Sequence, residues 1–392
     1  MTVMTSAGGH EARLLWASRP SLWALLRAGR VVGPVRRLPR LGWVVTDAPM
    51  ARRILNDHAH FTLLGEGGVG HLWAQVLGDW VERLFDGPGH AGLRSRARDL
   101  FTDDGAASLV ARVFDPEVGA ITGDLAAGRS VDLADRSRVL VGRMVVDLLG
   151  LQVAEGDGAY RRVFASGERL AALALGTTAS TVVAPDVVAE ARTIVAGLTR
   201  DVAAGYRDAP PSTLLGRCRE LGLSLRETEG LASLLLVAGT ETAATAMTRT
   251  VALLHDTGQM HQLLADPGLL PGAVREGLRV TTPAPLIGRH VARDVEVAGR
   301  RLRAGERVLL LTHVANNAVG PFDVTRPYVP ETRQLWFGAG RHLCLGAPVA
   351  RAELANLLGA LVGLGRPWRV VERRPARRVL IPSYASLRIE LN

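Results

Sequence analysis

The chain has 392 residues, 47% hydrophobic and 22% charged, which allows a large core and excludes wholesale disorder. Its net charge is +9 and its basic residues are all arginine, scattered without a long basic run. That pattern argues against nucleic-acid binding and for a basic patch that meets an acidic protein partner. Two cysteines, Cys218 and Cys344, are too few for a disulfide framework and imply a reducing cytoplasm.

Near the start, Leu14–Trp16 and Leu22–Leu26 are short apolar stretches interrupted by Arg13, Arg19 and Arg27, unlike a signal peptide. Leu41–Asp47 reads as a strand, and Ala48–Leu55 as a helix capped by Asp47. Gly65–Gly70 is a glycine-rich loop, and Ala91–Phe101 is an arginine-rich helix. From about Ala106 to Leu264 the pattern is mostly helical, with breaks at Gly156–Gly158, Pro185, Pro210-Pro211 and Gly222. Ser224-Leu-Arg-Glu227 is a capping-box pattern, and the helix it opens is predicted to run to about His255. The apolar run inside that helix, Leu234–Gly239, falls far short of the ~20 residues a membrane span needs. Pro271–Arg279 is a further helix. After it the period becomes strand-like at Asp294–Gly299 and Arg307–Leu311, which are predicted to pair through a turn at Gly299. Pro321–Arg333 is irregular. A glycine-rich cysteine loop, a helix to about Leu364 and a strand-like tail at Val379–Leu391 complete the chain. The expected fold class is mainly α with small antiparallel β-sheets.

The cysteine loop, Phe337-Gly-Ala-Gly-Arg-His-Leu-Cys344-Leu-Gly346, is the most informative stretch. Glycines at 338, 340 and 346 are expected to take positive φ and let the backbone approach a planar ligand. Backbone N–H groups aimed at the sulfur would suit Cys344 to be a thiolate ligand of iron, against the alternative of a buried structural thiol. Within the long helix, Ala238-Gly-Thr-Glu-Thr242 has small residues that would admit something flat. Glu241 and Thr242 are expected to bring an acid and a hydroxyl to one place, able to orient water and relay protons. The alternative is a solvated glutamate beside a back-bonded threonine. Glu276 and Arg279 share a helix face and are placed to pair. His90 and Arg94, also on one face, are placed to grip a carboxylate.

Two further patterns carry less. His58-Ala-His60 has no third metal ligand nearby. Gly65-Glu-Gly67-Gly-Val-Gly70 fits G-x-G-x-x-G, and Glu82 or Asp86 could supply the acidic residue of a dinucleotide site. Phe61–Leu64 is too short for the central strand that site requires, and no strand–helix alternation follows.

In order and spacing together, these motifs resemble the cytochromes P450, the haem-thiolate monooxygenases, along nearly the whole length, and the soluble bacterial branch most. The resemblance implies a single catalytic domain, 1–392, in the cytochrome P450 fold, with haem b (Fe-protoporphyrin IX) held between the long central helix and the cysteine loop. It implies Cys344 as the metal ligand. Cofactor contacts are expected from Ala238, Gly239, Phe337, Gly338 and Gly346, with His90, Arg94, Arg289 and His342 holding the propionates. Glu241 and Thr242 are the expected catalytic pair, and Glu276, Arg279 and Arg326 a structural network. A substrate pocket is expected from Leu64, Trp73, Leu235, Ala284, Leu286 and Ile287, within segments that include Leu63–Val76 and Arg162–Thr181.

The implied activity is insertion of one oxygen atom from O2 into a hydrophobic small molecule, by hydroxylation or epoxidation, in natural-product biosynthesis. A separate ferredoxin and ferredoxin reductase would donate the electrons. A cytoplasmic monomer, free of membrane and nucleic acid, is expected. The rival readings are a peroxygenase and an NAD-dependent dehydrogenase. Asn316–Pro321 departs from the family by looking short and by lacking an arginine after Asn316. Gly277 inside the Glu/Arg helix costs about 1 kcal/mol of propensity that packing must offset.

Overall fold

A computed structural model describes residues 6–31, 33–66, 69–77, 86–87, 89–175, 183–379 and 381–392. The middle of the glycine-rich loop, Glu82 and the end of the 162–181 segment lie outside the described residues.

Helices α1 (Ser6–Ser18) and α2 (Pro20–Gly29) precede a hairpin of β1 (Val35–Leu38) and β2 (Gly42–Val45). Asp47 caps α3 (Ala48–Asn56) as expected, accepting the Met50 N–H at 2.9 Å. Next come β3 (Phe61–Thr62), α4 (Val69–Leu77), α5 (Gly89–Ala97), α6 (Asp103–Ala126) and β4 (Val131–Asp132). The helical middle continues with α7 (Leu133–Leu149), α8 (Asp157–Leu175), α9 (Pro185–Asp208) and α10 (Leu214–Glu220). Thr102, Asp132 and Thr213 cap three of these helices, each with a side-chain oxygen that accepts first-turn N–H groups.

The central element departs from expectation. Ser224 and Glu227 do form a capping box, each side chain accepting the other's backbone N–H. The helix does not run unbroken to His255, however. It is divided into α11 (Leu225–Gly239) and α12 (Glu241–Asp256) at Thr240, which lies at φ −83°, ψ −77°. The Ala244 N–H reaches the Thr240 carbonyl only at 3.4 Å. Local propensity is continuous here, and the break coincides with a tight crossing by α8. A Cβ on Gly167 would lie 2.6 Å from Thr240 Oγ1. Leu225–Asp256 taken together is long and apolar enough to cross a membrane, yet most of it is buried inside the fold.

After α13 (Met260–Ala265) and α14 (Leu270–Thr281), strands β5 (Ile287–Val291), β6 (Val295–Val297), β7 (Arg300–Leu302) and β8 (Arg307–Leu310) follow. The Gly299 turn joins β6 to β7, not to β8. Strand β8 enters a five-stranded sheet of order β1-β2-β8-β5-β3. There it pairs parallel with β2 and antiparallel with β5, so that sheet is mixed rather than purely antiparallel. α15 (Thr312–Asn317) and α16 (Ala347–Gly363) bracket the irregular stretch and the cysteine loop. β10 (Tyr384–Leu391) matches the expected tail, and it pairs with β4 and with a further strand, β9 (Trp368–Pro375). β9 carries Arg369, Glu372 and Arg374 on exposed positions, so its apolar signal is weak.

The main core gathers side chains from α6, α7, α11, α12, α14 and α16. Gly277 has a packing reason, because a Cβ there would come within 2.4 Å of Thr250 Oγ1 on α12. The glycine's propensity cost is thus exchanged for close contact between α14 and α12.

Candidate functional site

The cysteine loop is held by its own backbone. Gly338 (φ 74°) and Gly340 (φ 60°) take the positive φ expected of them, while Gly346 sits at φ −77° at the start of α16. The Cys344 N–H donates to the Phe337 carbonyl at 2.7 Å. Phe337 is buried and stacks on Trp336 at 3.9 Å between centroids. Burial pushes the Cys344 thiol up. Against that, the N–H groups of Gly346 and Ala347 donate to the sulfur, and Arg94 and Arg351 contribute positive charge nearby. Cys344 is accessible although it sits deep in the fold, so its open face is turned to an internal cleft. Cys218 is buried on α10, its thiol pushed up to about 11 by burial.

The central helix carries an open stripe of its own. Leu235, Ala238, Gly239 and Thr242 are accessible or half-buried, while Leu236, Val237, Thr240 and Glu241 are buried. The spacing i, i+3, i+4, i+7 puts the open residues on one helical face. α16, which follows Cys344, packs against α12, whose first turn carries Thr242.

Glu241 does not share that face. It is 6% exposed and lines a separate cavity of ≈ 10 Å³ with Arg138, Glu168, Thr245 and Tyr384. Consecutive helical residues point about 100° apart, which separates the acid from the Thr242 hydroxyl. Thr242 Oγ1 donates to the Ala238 carbonyl at 2.8 Å.

A cationic cluster flanks the cysteine loop. His90 is buried and its ring lies 4.7 Å from that of His342. Arg94 donates to the Leu343 carbonyl, so His90 and Arg94 both reach the cysteine loop. Burial, reinforced by His342 and Arg94, pushes His90 down to about 4. Arg289, on β5, is 4% exposed, and burial brings its guanidinium down to about 10. Its one hydrogen bond among the described residues goes to the Gly288 carbonyl at 2.9 Å, and no carboxylate pairs with it there.

Two residues of this cluster were missed as site residues. Asp86 accepts from His342 Nε2 at 3.0 Å and from the N–H groups of Leu63 and Leu64, and its carbonyl accepts from Arg341. Burial pushes its carboxyl up, but these bonds outweigh that and hold it below the usual range. His58 accepts the Arg341 N–H at 3.3 Å. Asp86 joins the cysteine loop to Leu63 and Leu64, and His58 meets that loop through the Arg341 N–H. Only their long-range partners reveal them.

The Glu276 network is close-knit. Arg279 donates Nε and Nη2 to the two Glu276 carboxylate oxygens at 2.7 and 2.6 Å. Its nitrogens also reach the carbonyls of Asn316, Gly320 and Pro321. Arg326 Nε lies 3.3 Å from Glu276 Oε2, so the shortened segment before it still delivers the arginine. Asn316 Oδ1 accepts the Leu335 N–H at 3.0 Å, tying this network to the strand of chain that enters the cysteine loop.

The expected pocket residues do not all converge. Leu64 and Ala284 are half-buried, and Trp73 is buried in the main core. Leu286 packs on the cluster of Leu22, Leu26 and Leu311, whereas Ile287 packs on that of Val45, Leu55 and Leu310. Neighbouring residues of an extended chain point to opposite sides, so these two do not share a pocket wall.

These residues fit haem. A buried guanidinium without a carboxylate awaits an anion such as a propionate. An accessible cysteine and a stripe of small residues would take the two faces of the ring. Arg289→Leu is therefore expected to act with two signs. It should stabilise the haem-free protein by removing a buried unpaired cation, and weaken haem retention about tenfold, or about 1.4 kcal/mol. Haem transfer to an acceptor protein and unfolding of the haem-free form measure the two effects.

The comparisons agree with the geometry. The cytochrome P450 family model matches residues 252–363. Pentalenic acid synthase of Streptomyces avermitilis is 30% identical over 379 residues, covering 93% of this chain and 89% of that protein. YjiB of Bacillus subtilis is 33% identical over 187 residues, 46% of this chain and about half (47%) of that relative. Among solved structures, a mutant of P450 EryK in complex with erythromycin B superposes with TM-score 0.78 at 24% identity, covering 96% of this chain and 97% of that one. With its likeness to the Streptomyces relative running almost end to end, the chain belongs to the cytochrome P450 family of haem-thiolate monooxygenases.

Proposed function

We propose that this chain, as one catalytic domain and a monomer, uses haem b to hydroxylate or epoxidise a hydrophobic small molecule in natural-product biosynthesis. The observation that carries the reading is the accessible Cys344 sulfur, deep in the fold at the start of the helix that packs against α12. When bound, haem supplies the reduction of O2 and the transfer of one oxygen atom to the substrate.

The protein's own part is binding, exclusion of water and proton supply. Cys344 holds the iron, with N–H groups from Gly346 and Ala347 steadying the sulfur's charge. Arg289, with His90, Arg94 and His342, receives the propionates. Glu241, raised to about 8 by burial, is protonated at neutral pH and is the proton donor. Thr242 presents its hydroxyl on the cleft side. Thr240, just before them at the break in the helix, has a buried hydroxyl without a partner. Leu235, Leu64 and Ala284 favour an apolar substrate. The Streptomyces relative's name, pentalenic acid synthase, supports a natural product. A separate acidic ferredoxin and its reductase would donate electrons at the arginine-bearing cysteine side, around Arg341.

A carbon-monoxide difference spectrum of the reduced protein tests the reading, and absence of the red-shifted thiolate band would end it. Substrate-induced spin shifts then identify an apolar ligand. With that ligand, Thr242→Ala is expected to lower product formed per reducing equivalent several-fold while electron uptake continues. Unchanged coupling would remove Thr242 from the relay.

A further inference from the structure

We propose that Glu168 and Glu241 form a carboxyl pair sharing one proton, in which Glu168 is the solvent-side positioning residue that keeps Glu241 charged with its proton. This rests on the proton-donor role given to Glu241 above. The geometry begins with Gly167. It lets α8 cross the junction of α11 and α12 so closely that a Cβ would meet Thr240 Oγ1 at 2.6 Å and the Leu236 carbonyl at 3.2 Å. The next residue, Glu168, is thereby carried to the wall of the ≈ 10 Å³ cavity that Glu241 also lines. That volume is about what a single water needs. Glu168 is half-buried and Glu241 nearly buried, so the pair runs from the protein's edge inward.

Few groups compete for the proton. From α7, Arg138 faces the cavity, and its guanidinium is fixed by the carbonyls of Tyr384 at 2.9 Å and Ala385 at 3.3 Å. From β10 comes Tyr384, whose phenol burial pushes up, leaving it neutral. On α12 itself, Thr245 and Thr248 line the cavity. Among the described residues neither carboxyl makes a hydrogen bond or ion pair. One cation thus faces two desolvated carboxyls, and both cannot ionise cheaply. Burial raises both groups, the nearby Glu168 raises Glu241 further, and Arg138 opposes. A proton passing from Glu168 to an ionised Glu241 leaves Glu168 as the carboxylate, which solvent then reprotonates.

Infrared difference titration of the ferric holoenzyme reads this without substrate or turnover, the Glu241 carboxyl band being the one lost in Glu241→Gln. Glu168→Gln removes a neighbouring negative charge and should lower the Glu241 midpoint by about one pH unit, a tenfold loss of proton affinity. Glu168→Asp keeps the charge and should restore most of it. Arg138→Gln removes the opposing cation and should raise the midpoint. An unmoved midpoint in Glu168→Gln, or shifts of the same sign in both neutralising variants, overturns the pair. The carbon-monoxide spectrum of the same preparations reports separately on the haem-thiolate reading, so the two fail independently.

Discussion

Cys344→Ser is expected to abolish the red-shifted carbon-monoxide band and to lower monooxygenase turnover by more than about 100-fold, beyond the 10–100-fold typical of changes behind a metal ligand. The serine oxygen does not push electron density as thiolate sulfur does. The fold should persist, because the loop is shaped by the Gly338 and Gly340 backbone and by the bond from the Cys344 N–H to Phe337, none of which needs the sulfur. Cys218→Ser is the control. That thiol lies in the core on α10, so its loss should cost some stability and leave the band intact. A band that survives Cys344→Ser would relocate the iron ligand.

Arg279→Ala is expected to destabilise the protein by about 3–5 kcal/mol, because it leaves the Glu276 carboxylate buried with its bidentate partner gone. Three carbonyls, of Asn316, Gly320 and Pro321, lose a donor at the same time. Arg326→Ala should cost only about 1 kcal/mol, since that side chain is 22% exposed and its pairing is screened. Denaturant unfolding of the holoenzyme measures both. The double variant Glu276→Gln with Arg279→Ala should cost much less than the sum of the single changes, because the buried charge is gone as well. A second readout follows from Asn316, which holds the Leu335 N–H. Loosening it should lower the fraction of protein that shows the thiolate band. An Arg279→Ala protein as stable as the parent would mean the pair is ornamental.

What was legible in the sequence was local chemistry. The Ser224 capping box, the Asp47 cap and the Glu276–Arg279 spacing are satisfied within a turn of helix, so residue type and interval suffice to read them. The cysteine loop was legible for the same reason, down to two of its three glycines. Gly346 differs because it opens α16, where φ is negative. Tertiary contacts were not legible. The break at Thr240 reflects the approach of Gly167 from another helix, which no helical periodicity encodes. Strand β8 was recognised by its apolar run, but a run does not say which strand it will join, and the turn at Gly299 pointed to the wrong one. Glu241 and Thr242 are adjacent in sequence and point to different sides of the helix, a consequence of helical geometry once the surrounding helices are known. Glu168 had no motif and Asp86 only the unconvincing dinucleotide pattern, and their positions come from chain segments that meet only in the fold.

The order of the five-stranded sheet has a consequence for how the protein is made. β2 pairs with β8, Trp43 beside Val308, and β5, which carries Arg289, is registered against β8. As the chain leaves the ribosome, α6 to α12 are able to assemble from near neighbours. The hairpin of β1 and β2 must wait for residues made much later. Closing so long a loop is slow relative to local helix docking. The arm that carries Arg289 is therefore set late, after the central helices have docked.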